Sequence, residues 1–295
     1  MLVSRSFTHE QNYLPVNQIS EPPQVSEQLR KSLSRIPATT LWCTHMTGFS
    51  LKSRLSGSKE PAFGTWISSS SLICLDALKE MEFQWFMIDT EHAHVNPETM
   101  AAMVSSLGGN GPAPLVRVGN IDQYLIKQAL DSAAEGILVP LVSTAAQARA
   151  VVSFAKYPPL GVRGIAAAAS TRYGMNLSEY LRTANSDTLV GVQIETRGAM
   201  ANLDSIAAVE GLDLLFVGPQ DLTLNLGLGD DRSNPKLKEA MQEVVKACER
   251  HGKIPGTLVI NPEEKKSAIE LGFRFISLAS DIRFLIQGAK YYLNS

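Results

Sequence analysis

Residues 190–229 read VGVQIETRGAMANLDSIAAVEGLDLLFVGPQDLTLNLGLG. Two short apolar runs, 190–194 and 214–217, each lead to a carboxylate, Glu195 and Asp221. Between them Met200, Leu203, Ile206 and Val209 recur at three-residue steps, a helical spacing. Strand, helix, strand makes the two strands parallel neighbours whose C-terminal ends open on one side. Glu195 and Asp221 can therefore meet. Two carboxylates at one mouth repel unless a cation stands between them, and an oxygen-loving divalent ion suits such a pair. Two polar residues that merely end strands would give the same spacing, so the rest of the chain has to decide.

Outward from this unit the alternation continues. Further short apolar runs stand at 63–68, 85–89, 114–118, 136–140, 254–259 and 273–278. Helical patterns fill 51–57, 71–81, 97–107, 122–131, 144–154, 235–250, 262–271 and 281–292. Pro97 suits a first helical position and Thr144 an N-cap. The span 157–189 is irregular: YPPLGVRG, a run of small residues, and a helix near 177–183. Its Tyr157-Pro158-Pro159 start reads as loop stiffening, and so long a loop points to function. Eight strands without internal alternation, each followed by a helix, predict a (β/α)8 TIM barrel over 49–295. An open doubly wound sheet has neither GxGxxG nor GxxxxGK[ST] to support it.

Composition narrows the function. The 295 residues are 44% apolar and 19% charged, with net charge −2. There is no basic block for nucleic acid and no apolar run of membrane-spanning length. Cys43, Cys74 and Cys248 are odd in number and widely spaced, which favours a reducing compartment. Residues 1–48 are polar and dotted with proline, but glutamates break any transit-peptide pattern. They read as an extension, partly disordered or laid on a neighbouring subunit, and the location as cytoplasmic.

Barrel enzymes work at the C-terminal ends of their strands. Found there are Asp89, Glu91 and His92 after the second strand, Arg117 at the third, Glu195 after the fifth, and Gly218-Pro219-Gln220-Asp221 after the sixth. A divalent ion on Glu195 and Asp221 would leave positions for a 2-oxo acid, and would polarise its ketone. Arg117 could donate to the ketone oxygen as an enolate forms. His92 is a candidate base whose tautomer Asp89 could fix; Asp89 could equally pair with Arg117. Gln193 and the amides around Gly218, Pro219 and Gln220 are candidates for holding the substrate. His94 is not counted as a partner of His92 in binding metal. No strand ends on a lysine, which speaks against a Schiff-base aldolase, and the seventh and eighth strand ends are poor phosphate sites.

Five segments carry a resemblance: IDTEHAHVN (88–96), LVRVGNIDQYLIKQALDSAAEGILVPLV (115–142), YPPLGVRG (157–164), VQIETRGAMANLDSIAAVEGLD (192–213) and FVGPQDLTLNLG (216–227). In that order they resemble the HpcH/HpaI aldolases, metal-dependent pyruvate aldolases. The resemblance implies Glu195 and Asp221 as ligands of magnesium, manganese or cobalt, His92 with Asp89 as the proton-handling pair, and Arg117 on the pyruvyl oxygen. It implies that Asp131 helps complete the site across a subunit interface. It further implies a homo-oligomer, trimeric or hexameric, with the C-terminal helix exchanged between partners. The expected reaction is cleavage of a 4-hydroxy-2-oxo acid to pyruvate and an aldehyde. Two departures fall where substrate enters: Gln220 replaces an alanine, and IAAAASTRYG follows Gly164 where glycine and arginine are usual. They keep open an oxaloacetate decarboxylase or macrophomate synthase-like enzyme that forms the same enolate. A non-catalytic oligomeric barrel has no need for Asp89, His92, Arg117, Glu195 and Asp221 together.

Overall fold

The computed structural model describes residues 50–109 and 111–294; the reading of residues 1–48 falls outside them. Eight parallel strands close into a barrel in chain order. They are β1 (Ala62–Ile67), β2 (Trp85–Asp89), β3 (Ala113–Arg117), β4 (Gly136–Val139), β5 (Leu189–Ile194), β6 (Leu214–Val217), β7 (Ile254–Val259) and β8 (Phe275–Ser280). The helices are α1 (Leu51–Gly57), α2 (Leu72–Lys79), α3 (Pro97–Ser106), α4 (Gln123–Asp131), α5 (Ala145–Ala155), α6 (Leu177–Asp187), α7 (Arg197–Ala201), α8 (Leu203–Ala207), α9 (Pro219–Asn225), α10 (Pro235–His251), α11 (Pro262–Leu271) and α12 (Asp281–Asn294). A 3-10 turn, Ala169–Thr171, interrupts the long loop before α6.

Strand side chains alternate between two cores. Phe86, Ile88, Val116, Val190, Val192 and Leu215 pack outward against the helices. Trp66, Trp85, Met87, Leu115, Leu138, Phe216 and Phe275 point inward and fill the barrel. The inward rings need room, which glycine provides: a Cβ on Gly64 would lie 2.1 Å from the Trp85 ring. Leu51 and Leu55 of α1 join the inner core. With Lys52 bonded to Asp213 (2.8 Å) and the Leu51 amide to Glu135 (2.9 Å), α1 closes the end at which strands begin. The opposite end is left for chemistry.

Local signals fix the helix starts. Asn96 caps α3 ahead of Pro97, Thr144 forms a reciprocal cap with Gln147 at α5, and Asn261 caps α11. Three expectations shift. The helix read between β5 and β6 is two short ones, α7 and α8, broken at Asn202, whose amide bonds the Ser143 and Gly198 carbonyls. The amides around Gly218–Asp221, read as a hold for the substrate, stand at the start of a helix begun by Pro219. β8 starts two residues later than expected, because Phe273 is a buried turn residue after Gly272 in the left-handed region.

Candidate active site

Asp89 ends β2 with its side chain turned into the mouth, 3% exposed. One oxygen accepts the backbone N–H groups of Glu91 (3.0 Å) and His92 (3.3 Å), a turn that aspartate builds from its own side chain. The same carboxylate grips Arg117 at the end of β3 by two bonds, Nε to Oδ1 at 3.0 Å and Nη2 to Oδ2 at 2.8 Å. This fork-to-fork pairing is geometrically specific. The His92 ring is not bonded to Asp89; its Nε2 lies 3.8 Å from Glu91 Oε1, and two thirds of the side chain is exposed. Asp89 therefore pairs with Arg117, one of the partners the sequence allowed it, and holds the backbone of His92 rather than its imidazole.

From Arg117 the network runs inward. Its Nη1 donates to Gln193 Oε1 (3.3 Å) and lies 2.9 Å from Glu91 Oε2. Gln193 Nε2 donates to Glu195 Oε2 at 2.6 Å. Glu195 Oε1 accepts the Leu141 amide at 2.7 Å. Leu141 holds this pose with φ of 56°, uncommon for a branched residue. Gly218 passes so close that a Cβ there would stand 2.9 Å from Glu195 Oε2. Beneath, the Trp66 ring carries the Arg117 guanidinium 4.2 Å from its centre.

Burial raises the Glu195 carboxyl to about 7; the Leu141 amide counters this, Asp221 and Glu91 add to it, and Arg117 opposes. Burial also raises Glu91, against the pull of Arg117 and His92. Asp221 sits exposed in the first turn of α9, near enough to act on both. Asp89 and Glu91 thus pair with one guanidinium, while Glu195 and Asp221 stand within electrostatic range of one another. This donor set suits a hard divalent cation. Among the described residues no three Asp, Glu, His or Cys side chains converge as a metal cluster. Glu195 and Asp221 are the carboxylates that could hold such an ion.

Pro219 is buried and Gln220 exposed at the start of α9. Asp131 is elsewhere: it ends α4, away from this mouth, and pairs with Arg163 at 3.0 Å. Leu141, Trp66 and Glu91 were given no role by sequence reasoning. A backbone amide has no residue-type signature. Trp66, however, stands at a strand end beside the candidates, and that position was a usable signal.

The profile of the HpcH/HpaI aldolase/citrate lyase family matches residues 62–288. The 4-hydroxy-2-oxo-heptane-1,7-dioate aldolase of Escherichia coli is 36% identical over 231 residues, 78% of this chain and 88% of the relative. Among solved structures, an HpcH/HpaI aldolase/citrate lyase family protein from Burkholderia cenocepacia superposes with a TM-score of 0.79 at 32% identity, covering 83% of this chain and 97% of that one. An HpcH/HpaI aldolase from Desulfitobacterium hafniense gives 0.78 at 28%, covering 84% and 96%.

Proposed function

Because this chain belongs to the HpcH/HpaI aldolase/citrate lyase family, we propose that it is a carbon–carbon lyase acting on 4-hydroxy-2-oxo acids. It releases pyruvate and an aldehyde reversibly, and depends on a divalent cation, magnesium, manganese or cobalt. A proton leaves the 4-hydroxyl, the C3–C4 bond breaks, its electron pair passes into the ketone as an enolate, and a proton returns to C3.

The observation that carries this reading is Arg117 Nη1, the guanidinium nitrogen that Asp89 does not engage. Asp89 occupies its Nε and Nη2, and Nη1 remains at the mouth beside Gln193 and Glu195. There Nη1 donates to the ketone oxygen and stabilises it as charge develops. Glu195 and Asp221 would hold the cation, which when bound supplies Lewis-acid polarisation of the same oxygen. His92, at the rim, moves the proton between solvent and substrate. Gln193 orients Glu195, and Gly218, Pro219 and Gln220 face the substrate carboxylate.

Asp131 lies off its own mouth, so we assign it to the site of a neighbouring copy. The exposed Ile282, Leu285, Ile286 and Leu293 of α12 support a homo-oligomer, a trimer or hexamer. No helix among the described residues is long and apolar enough to cross a membrane.

The test is exchange of the pyruvate methyl protons in D2O, followed by NMR, with magnesium, with chelator, and with Glu195→Gln. Exchange is expected with magnesium alone and not in the other two. Equal exchange with chelator, or in the variant, overturns the reading. Turnover of oxaloacetate against hydroxy-oxo acids then separates the lyase from a decarboxylase.

A further inference from the structure

Glu91 is a charged residue of the mouth to which the reaction above gives no task. Its position is tightly specified. Its backbone N–H is bonded to Asp89 Oδ1, so the turn that follows β2 sets where its side chain begins. That side chain is 15% exposed and reaches back into the site. Oε2 is 2.9 Å from Arg117 Nη1, yet it is a buried oxygen with no aligned hydrogen bond. Oε1 is 3.8 Å from His92 Nε2. One carboxylate thus stands between the guanidinium nitrogen that Asp89 leaves free and the exposed imidazole.

A buried carboxylate oxygen without a well-aligned donor is costly to keep, and an amide in its place would avoid the charge. Its neighbours give the charge a use. Nη1 is the nitrogen to which the substrate ketone must bind, so Glu91 Oε2 and the ketone compete for the same N–H edge. Among the described residues, the carboxylate within 4 Å of the imidazole is that of Glu91.

We propose that Glu91 is a positioning residue with two coupled tasks: it occupies Arg117 Nη1 until the oxo acid arrives, and it holds the His92 ring over the reacting carbon. The inference rests on the lyase reading, and adds to it a residue outside the assigned set. It makes an unusual prediction, because removing the charge should help one step and harm the other. Without the competing anion, Arg117 is more available and pyruvate binds more tightly. Without the Glu91 carboxylate beside it, His92 wanders and proton transfer slows. A residue that only supported the loop would weaken both together.

The experiment uses the full chain with magnesium and pyruvate, comparing wild type, Glu91→Gln and Glu91→Asp. Pyruvate affinity is taken by calorimetry and methyl exchange by NMR in D2O. Glu91→Gln should tighten pyruvate by about threefold or more and slow exchange at saturation by about tenfold. Glu91→Asp, which keeps the charge, should recover part of the exchange rate and the weaker binding. Binding and exchange both unchanged, or both weakened, in Glu91→Gln would overturn the assignment to Glu91 while leaving the lyase intact. Absence of exchange in the wild type overturns the lyase reading itself, and this inference with it.

Discussion

Arg117 commits two nitrogens to Asp89, stacks on Trp66, and offers the third to the mouth. Its replacement by alanine should slow pyruvate methyl exchange by about 10²–10³, the scale of losing an oxyanion donor; a loss under tenfold would remove Arg117 from the chemistry. The residue types of this site were legible in the sequence, because carboxylates, His and Arg at strand ends are few. Their pairings were not. Asp89 had two plausible partners, and only the geometry of β2 beside β3 selects Arg117. Elsewhere Lys156 is buried and donates to the Asn185 and Thr188 carbonyls at 2.7 and 2.9 Å. Burial lowers it from 10.5 to about 8. Between those values the unfolded chain binds the extra proton, so this group makes stability rise with pH there. Unfolding free energies measured across that range should rise less steeply in Lys156→Met. Of the thiols Cys74 and Cys248, alkylation at pH 8 of the folded protein should reach Cys74 alone, since Cys248 is buried and pushed up to about 12.

The strands were the most readable elements, since residues buried on two faces leave continuous apolar runs. Their ends were less so. Phe273 looks like strand and is a turn residue, while Ala279 and Ser280 look like loop and complete β8 at the mouth. The break at Asn202 was invisible to a three-residue period, which α7 and α8 share across it. Inside the barrel, glycine carries as much information as the apolar residues. Gly64 meets the Trp85 ring and its carbonyl at 2.1 and 2.4 Å from where a Cβ would stand. The neighbouring backbone cannot yield cheaply. Gly64→Ala should therefore cost about 3 kcal/mol, read as a fall in the denaturant midpoint. An unchanged midpoint would mean that β1 and β2 can part without penalty.

At the scale of the whole molecule, closure depends on joining the first strand to the last. Asp281, at the start of α12, accepts the amides of Ser68 (3.0 Å) and Ser69 (2.9 Å) just beyond β1. Thr65 adds a bond to the Leu278 carbonyl at 2.8 Å. Asp281→Ala leaves two amides unpaired at this seam. It should lower the melting temperature by about 4–8 °C, the equivalent of about 2 kcal/mol. The closed barrel also sets two tryptophans at different depths. Trp85 lies flat on Phe275, their centres 3.8 Å apart, within the inner core that α1 covers. Trp66 lies under the guanidinium that the substrate must contact. Indole fluorescence responds to a nearby charge, so of these two emitters Trp66 follows the mouth and Trp85 the core. Pyruvate binding should change the emission of the wild type by more than that of Trp66→Phe, and the difference between the two gives a titration of the site that needs neither turnover nor a label.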